Sequence, residues 1–332
     1  MRSTGAVWLL LLLLLIPVAL LSLTLGASGI APGEMLRAWA AGDTASKGYR
    51  ILLYVRLPRT CAALLAGGAL AVSGWILQTI LMNPLASPGI IGVNAGAGLF
   101  ALIAMIALPN LALAVPVGAF LGALLAALGV YLAAKKTGAS RTTILLSGVA
   151  VSGILSACMD ALVTIWPDAA LSRTFFSIGG FSDVTMQKLG LALPFIAAGF
   201  ALALLLRREA SILSLGDEMA AGLGLRVNRH RFLLILTAAL LAGGAVSFSG
   251  LLGFVGLIVP RIARMLTRRD ERFGVPMCMV LGALFLSICD LVARILIAPY
   301  ELPVGVILSL AGGPFFLYLL YTQKRSNRHD AA

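Results

Sequence analysis

The sequence predicts an all-α polytopic membrane protein with about ten transmembrane helices, on three observations. Hydrophobic residues make up 60% of the chain and charged residues 11%, whereas a soluble domain typically carries about 25% charged residues. The mean hydropathy is +1.02. Apolar runs of about 20 residues, enough to cross a hydrocarbon core of about 30 Å, recur along the chain. We therefore expect residues 1–332 to form a single membrane domain.

Ten apolar runs define the predicted spans. They lie at 5–25, 57–81, 90–108, 111–134, 142–165, 189–206, 232–249, 250–267, 275–296 and 303–321. The run 250–267 is the least regular, because Pro260, Arg261 and Arg264 interrupt it. The first run is longer than the apolar core of a usual signal peptide and a poor cleavage site follows it, so we expect a retained helix.

The formal net charge of +12 is explained by the topology. With the N-terminus inside, fifteen of the 25 Lys and Arg residues fall in inner loops and ends, as the positive-inside rule requires. These are Arg2, Lys135, Lys136, Arg141, Arg207, Arg208, Arg226, Arg229, Arg231, Arg268, Arg269, Arg272, Lys324, Arg325 and Arg328. Both termini and the segment 207–231 are therefore expected in the cytoplasm, and no nucleic-acid partner is needed.

The chain also contains an internal echo and two long outer segments. GGALAVSG at 67–74 resembles GGAVSFSG at 243–250, and Pro84 falls at the same offset as Pro260. Five spans separate the copies, so they would run in opposite directions, as in an inverted repeat. Small-residue packing between membrane helices would leave the same trace. The segments 26–50 and 166–187 are long enough for short helices on the outer face.

Catalytic chemistry has little support in this sequence. It has two histidines, His230 and His329, no plausible Ser/His/Asp grouping and no phosphate-binding loop of the G-x-x-x-x-G-K-[ST] type. The four cysteines form no C-x-x-C pair, so no metal site is expected. Asp160 and Asp290 are candidates for ion coupling, although Asp290 has Arg294 at i+4 and a helix-surface ion pair is the simpler explanation.

The stretch GDEMAAGLGL, residues 216–225, predicts a short cytoplasmic helix. Asp217 and Glu218 near its start favour the helix dipole, and Gly222 or Gly224 can end it. Such a helix is too short to be stable alone. It must rest either on the bilayer surface or on a soluble partner.

Five stretches carry a family resemblance: RLPRTCAALLAGGALAVSGWILQTILMNPLASPGIIGVNAGA (56–97), GDEMAAGLGL, GLLGFVGLIVPRIARMLTRRDERFGVP (250–276), GALFLSICDLVAR (282–294) and ELPVGVILSLAGGPFFLYLL (301–320). They resemble the FecCD-type permease family, the membrane subunits of ABC importers for iron siderophores, haem and cobalamin. They cover most of the chain in family order. One departure is Arg261, where many members carry a histidine.

The resemblance implies a type II importer permease fold in a bacterial inner membrane, without a cofactor. It implies two cytoplasmic ATPase subunits, an extracytoplasmic substrate-binding protein and a second permease subunit in a homodimer or a pair of similar halves. An iron chelate, either a siderophore or haem, is the expected substrate, and a corrinoid is the alternative within the family. From another class, an ion-coupled secondary transporter is the competing interpretation.

Site residues follow from the same motifs. The resemblance assigns contact with the ATPase to Gly216, Asp217, Glu218, Ala220 and Gly224. It assigns docking of the binding protein to Arg56, Arg59 and Arg294, for which snorkelling interface anchors are the alternative. Asn83 and Pro84 are expected in a loop at the inner mouth. The pathway-lining candidates in the fifth span are Ser147, Ser152 and Ser156, for which interhelical hydrogen bonding competes.

Overall fold

The protein is a bundle of helices. The computed structural model describes residues 4–26, 30–136, 140–267 and 271–329, and these residues contain helices, turns and loops without strands. Arg2, Arg268 and Arg269 of the predicted inner basic residues lie outside the described residues.

The helices follow one another with short connections. They are α1 (Thr4–Thr24), α2 (Pro32–Ala40), α3 (Lys47–Ile51), α4 (Leu57–Ile80), α5 (Val93–Ala107), α6 (Ala114–Lys136), α7 (Arg141–Ile165), α8 (Ala169–Ile178), α9 (Met186–Leu205), α10 (Arg207–Leu213), α11 (Asp217–Gly222), α12 (Val227–Ser249), α13 (Val255–Thr267), α14 (Gly274–Ile295) and α15 (Val304–His329). A π-helical segment, Leu52–Arg56, joins α3 to α4, and a 3₁₀ turn, Glu271–Phe273, precedes α14.

Ten of these helices lie at the ten predicted positions. Among the described residues, seven are long and apolar enough to cross a membrane: α1, the continuous stretch from α3 to α4, α6, α7, α9, α12 and α14. The other three are shorter, since α5 has 15 residues, α13 has 13, and the apolar part of α15 is Val304–Leu317. The two outer segments contain α2 and α8, as expected.

The predicted span 250–267 is wrong in its outer part. A helix of 13 residues is about 20 Å long, shorter than the hydrocarbon core. Residues 250–254 are not helical because their backbone turns towards the end of α8 and the residues that follow it. The Leu251 N–H donates to the Phe176 carbonyl at 2.9 Å, and the Gly180 N–H donates to the Ser249 carbonyl at 2.8 Å.

The core is formed by α4, α12 and α14. Of their most apolar windows, 83%, 78% and 61% are buried, against 6% for α1 and 11% for α7. Glycines let the central helices touch, since a Cβ atom at Gly67 would lie 2.2 Å from the Gly282 carbonyl oxygen. Close backbone approach of this kind provides the van der Waals contact that holds membrane helices together.

The short helix α13 is bound to α4 at a proline. Pro260 has no N–H, so the carbonyl of Gly256, four residues earlier, lacks its helical partner. The Gln78 Nε2 atom donates to this carbonyl at 3.1 Å, and the Gln78 Oε1 atom accepts from Arg264 at 3.0 Å. Inside a membrane an unpaired backbone group is costly, so Gln78 allows α13 to keep its proline.

The helix contacts support the predicted repeat. The helix α4 packs against α14 and α13, and α12, which carries the second copy of the echo, packs against α6 and α5. The helices α4 and α12 thus each contact the helices that occupy matching positions in the other half.

Candidate functional site

The segment between α9 and α12, which the sequence predicts to be cytoplasmic, folds into the two short helices α10 and α11. Gly216, with φ of 116°, precedes α11, and Gly224, with φ of 83°, follows its end. The Leu225 N–H donates to the Ala220 carbonyl at 3.0 Å and the Gly224 N–H to the Ala221 carbonyl at 2.9 Å. This is a Schellman ending, so the predicted termination at Gly224 is observed as a backbone feature.

The helix α11 has one buried and one exposed face. Ala220 is fully buried, and Leu213 at the end of α10 is buried beside it. The exposed face carries apolar side chains: Leu215 is 54% exposed, Met219 58% and Leu223 62%. Glu218 is also exposed. An open cleft of about 480 Å³ lies next to this face, between the start of α7 and the start of α11. The segment is therefore anchored on one side and has an unpartnered surface on the other.

Asp217 fixes α11 to two membrane helices. Its Oδ1 atom accepts hydrogen bonds from Arg141 Nη2 and from Arg231 Nη2, both at 2.6 Å. Arg141 is the first residue of α7, and Arg231 lies in the first turns of α12. Burial tends to raise the pKa of the Asp217 carboxyl, but the hydrogen bonds and charges of Arg231 and Arg141 outweigh it and hold the pKa below its ordinary value.

The predicted inner loop lies beside this junction. The Leu85 N–H donates to Asn83 Oδ1 at 2.9 Å, and the Asn83 N–H donates to the Gln78 carbonyl at 3.2 Å. The Asn83 side chain thus closes a turn around Pro84, as expected for an Asx turn. Met82 reaches Arg141, whose Nη1 atom donates to the Met82 sulfur. Arg141 therefore contacts both the inner loop and α11.

At the opposite, outer end, Arg59 and Arg294 form a buried ion cluster with two carboxylates. Arg59 Nε donates to both oxygens of Asp290, at 3.0 and 3.2 Å, and Arg59 Nη1 contacts Glu301. Arg294 Nη2 lies 3.2 Å from Asp290 Oδ2, so the predicted i,i+4 pair forms, but it is buried and does not lie on the helix surface. The two arginines and the two carboxylates sum to zero charge, and Glu301 is the partly exposed member of the cluster.

Arg56 and Arg294 also bind the end of α1. The last carbonyls of a helix have no partner within it. Arg56 donates to the carbonyls of Leu23 and Thr24, and Arg294 Nη1 donates to the Ser22 carbonyl at 2.9 Å. Arg56, Arg59 and Arg294 are thus buried and have partners inside the chain. Their predicted docking role stays a prediction, and the contacts with Glu301 and Ser22 have no signal in the sequence.

The three serines of α7 face the rest of the bundle. Ser147, Ser152 and Ser156 are half-buried, and Ser152 Oγ approaches the backbone at Gly92. The exposed side of α7 instead carries apolar residues, both large and small. They include Leu146, Val149, Ala150, Gly153, Ile154 and Ala157. A pathway role for the serines stays a prediction.

The candidate residues for ion coupling have structural partners. Asp160, at the outer end of α7, forms an exposed ion pair with Arg173 at 2.8 Å, and Asp290 is held in the outer cluster. Among the described residues, no three His, Cys, Asp or Glu side chains are grouped so as to bind a metal ion.

The fold matches that of a solved transporter. Over 96% of this chain and 99% of the other, it superposes with a TM-score of 0.82 and 29% sequence identity on a protein described as a metal-chelate type ABC transporter in an inward-facing conformation. This shared fold identifies the class of protein as the membrane permease of an ABC importer.

The chain belongs to the FecCD transport family, whose profile matches residues 11–322. It is 34% identical over 96% of its length to the Fe(3+)-citrate import system permease YfmE of Bacillus subtilis, covering 95% of that protein. It is 37% identical over 95% of its length to the hemin transport system permease HmuU of Yersinia pestis, also covering 95%. It is 41% identical over 80% of its length to the cobalamin import permease BtuC of Halobacterium salinarum, covering 72%.

Proposed function

We propose that this permease carries an iron chelate, a siderophore complex or haem, across the bacterial cytoplasmic membrane and that separate ATPase subunits drive it. The observation that carries the proposal is α11, which is fixed to the bundle by Asp217 and exposes an apolar face. A helix that lies on a bilayer surface usually carries Lys or Arg on its polar face, whereas α11 has Asp217 and Glu218. A protein groove suits this helix better than anionic lipid.

The assembly contains more than this chain. We infer two ATPase subunits in the cytoplasm, each receiving one α11, a substrate-binding protein outside, and a second copy of the permease. Family membership supports these partners. The exposed face of α7, which is apolar and includes the small residues Ala150, Gly153 and Ala157, supports contact with the second copy. Both termini lie in the cytoplasm in this arrangement, in keeping with the inner excess of Lys and Arg.

ATP hydrolysis belongs to the partner chains in this proposal. The permease contributes a pathway between two copies and the helices that open and close it. Closure of the ATPases on ATP moves the two α11 helices, and the bundle follows because α11 is bonded to α7 and α12. The purified permease alone is expected to show no ATP hydrolysis.

The substrate class rests on the relatives. Their names include Fe(3+)-citrate, hemin, iron(3+)-hydroxamate and achromobactin transport, and one names cobalamin. Most of these are iron compounds, so an iron chelate is the first candidate and a corrinoid the second.

Docking of the binding protein uses the outer arginines in this proposal. Glu301 is the partly exposed member of the outer cluster and contacts Arg59. A carboxylate from the binding protein reaches Arg59 by replacing Glu301, since arginine suits bidentate pairing with carboxylates.

The decisive experiment is uptake by a strain that lacks this gene and is grown under iron limitation. Return of the gene is expected to restore uptake of labelled ferric chelate or haem, and an ATPase-inactive partner is expected to abolish it. Restoration of labelled cobalamin uptake alone would favour the corrinoid alternative. Transport by the reconstituted permease under an ion gradient without ATPase would favour the secondary transporter and contradict the proposal.

A further inference from the structure

The junction at Asp217 joins the cytoplasmic helix α11 to two membrane helices, α7 and α12. The Oδ1 atom of Asp217 is shared by Arg141 of α7 and Arg231 of α12, each at 2.6 Å. Arg231 is buried, while Arg141 and Asp217 are partly exposed. The two arginines therefore share one carboxylate oxygen, one from within the core and one from its edge.

The two arginines attach to helices with different packing. The helix α12 is a core helix, and 78% of its apolar window is buried. Only 11% of the corresponding window of α7 is buried, and α7 packs mainly against α5 and α6. The position of α12 is thus fixed by packing, whereas the inner end of α7 depends more on its polar contacts.

Arg141 gathers further contacts at the start of α7. Its Nη2 atom also donates to the Leu213 carbonyl at the end of α10, at 3.2 Å, and its Nη1 atom contacts Met82 in the inner loop. Charge-assisted hydrogen bonds of this length are directional and about twice as strong as neutral ones. A displacement of α11 thus pulls on the inner end of α7 through one guanidinium group.

We propose that Asp217 is a positioning residue that transmits movement of α11 to α7 through Arg141, with Arg231 as the fixed anchor. This inference rests on the proposed contact between α11 and an ATPase. It adds a specific route from that contact to the helix whose exposed face we assign to contact with the second copy.

The test uses the full complex of permease, ATPase and binding protein in liposomes. Asp217→Asn and Arg141→Gln are each expected to lower the substrate transported per ATP hydrolysed by about tenfold, the ordinary loss for one charge-assisted hydrogen bond. The double variant is expected to lose less than the sum of the two single losses, because both variants remove the same link between Asp217 and Arg141. Asp217→Glu and Arg141→Lys keep the charges and are expected to recover part of the ratio.

The control is an ion pair at the other end of the same helix. Asp160→Asn removes the exposed pair with Arg173 and is expected to leave the ratio unchanged. An equal loss in Asp160→Asn, additive losses in the double variant, or an unchanged ratio in Asp217→Asn would each overturn the inference. Failure of the wild-type permease to bind an ATPase would instead overturn the proposed function. Co-purification of the ATPase with each variant distinguishes the two failures.

Discussion

Asp290 is a charged side chain held at membrane depth without exposure to water. It is fully buried, and Arg59 and Arg294 together neutralise it. An ion of this kind is tolerated in a bilayer only when it is paired. Arg59 belongs to α4, and Asp290 and Arg294 belong to α14. Arg294 also binds the end of α1, so the cluster joins three helices at one end of the bundle.

Replacement of Arg59 is expected to destabilise the permease itself. Arg59→Ala removes one of the two partners of a buried carboxylate, which ordinarily costs about 3–5 kcal/mol. Thermal denaturation of the purified permease without any binding protein measures this effect. Arg50→Ala, at an exposed residue of the same outer region, is expected to stay within about 0.5 kcal/mol of the wild type. Equal melting temperatures for the two variants would show that the cluster contributes little to the stability of the permease. A loss of uptake in Arg59→Ala would then report on docking of the binding protein alone.

Gly216 and Gly222 offer a matched pair of substitutions in the cytoplasmic segment. A Cβ atom would meet no neighbour at either residue, but only Gly216 has a positive φ. That backbone region is essentially restricted to glycine, and a side chain there costs on the order of 1–3 kcal/mol. Gly216→Ala is therefore expected to reduce transport coupled to ATP hydrolysis by about tenfold, since 1.4 kcal/mol corresponds to a factor of ten.

The control for this comparison is Gly222→Ala, which adds a methyl group without backbone strain in the last turn of α11. It is expected to leave coupling unchanged. Coupled ATPase and uptake rates in liposomes measure both variants. A larger effect in Gly222→Ala than in Gly216→Ala would show that a Cβ atom on α11 blocks the partner groove, and it would contradict the conformational explanation.

At the scale of single elements, α13 shows what the sequence could and could not predict. Pro260, Arg261 and Arg264 signalled an irregular span, and the helix is indeed short. The start of α13 at Val255 was not predictable, because the apolar run is continuous there. Residues 250–254 are not helical because of hydrogen bonds to residues 176–180. Periodicity records which residues are apolar, and it contains no information on distant backbone partners.

The link between α13 and α4 gives a prediction for Gln78. Gln78→Leu leaves the Gly256 carbonyl, already freed by Pro260, without its donor. An unsatisfied buried acceptor costs about 1–3 kcal/mol, so the variant is expected to melt at a lower temperature than the wild type. Gln187→Leu makes the same change at an exposed residue and is expected to have no such effect. A normal melting temperature for Gln78→Leu would mean that another donor reaches the carbonyl.

The short helix α11 was predictable from composition, since Asp217, Glu218 and the glycines mark its ends. The attachment of α11 was not. Arg141 and Arg231 are 76 and 14 residues from Asp217, and both belong to basic clusters that topology alone already explains. A sequence contains many such arginines, and the fold determines which of them meet the carboxylate.

At the scale of the whole molecule, we propose that a second copy covers α7. Its exposed face carries large and small apolar residues, which suit both lipid and another protein helix. Cys158 lies exposed on α7, Cys61 is partly buried, and Cys278 and Cys289 are buried. The native cysteines therefore provide a test that needs few substitutions.

A membrane-permeant thiol cross-linker is expected to join two permeases through Cys158. The cross-linked dimer is measured by denaturing gel electrophoresis of membranes treated in intact cells. Cys158→Ser is expected to abolish the dimer band, whereas Cys61→Ser is expected to retain it. A monomer in every case would argue that the exposed face of α7 contacts lipid.

The anchoring of α1 has a consequence for how the chain is made. The last carbonyls of α1 are bound by Arg56, which is close in sequence, and by Arg294, which is 272 residues beyond Ser22. Translation therefore supplies these two partners at very different times. A chain that stops before α14 would hold the end of α1 through Arg56 alone, and it is expected to be cleaved by membrane proteases more readily than a chain that includes Arg294.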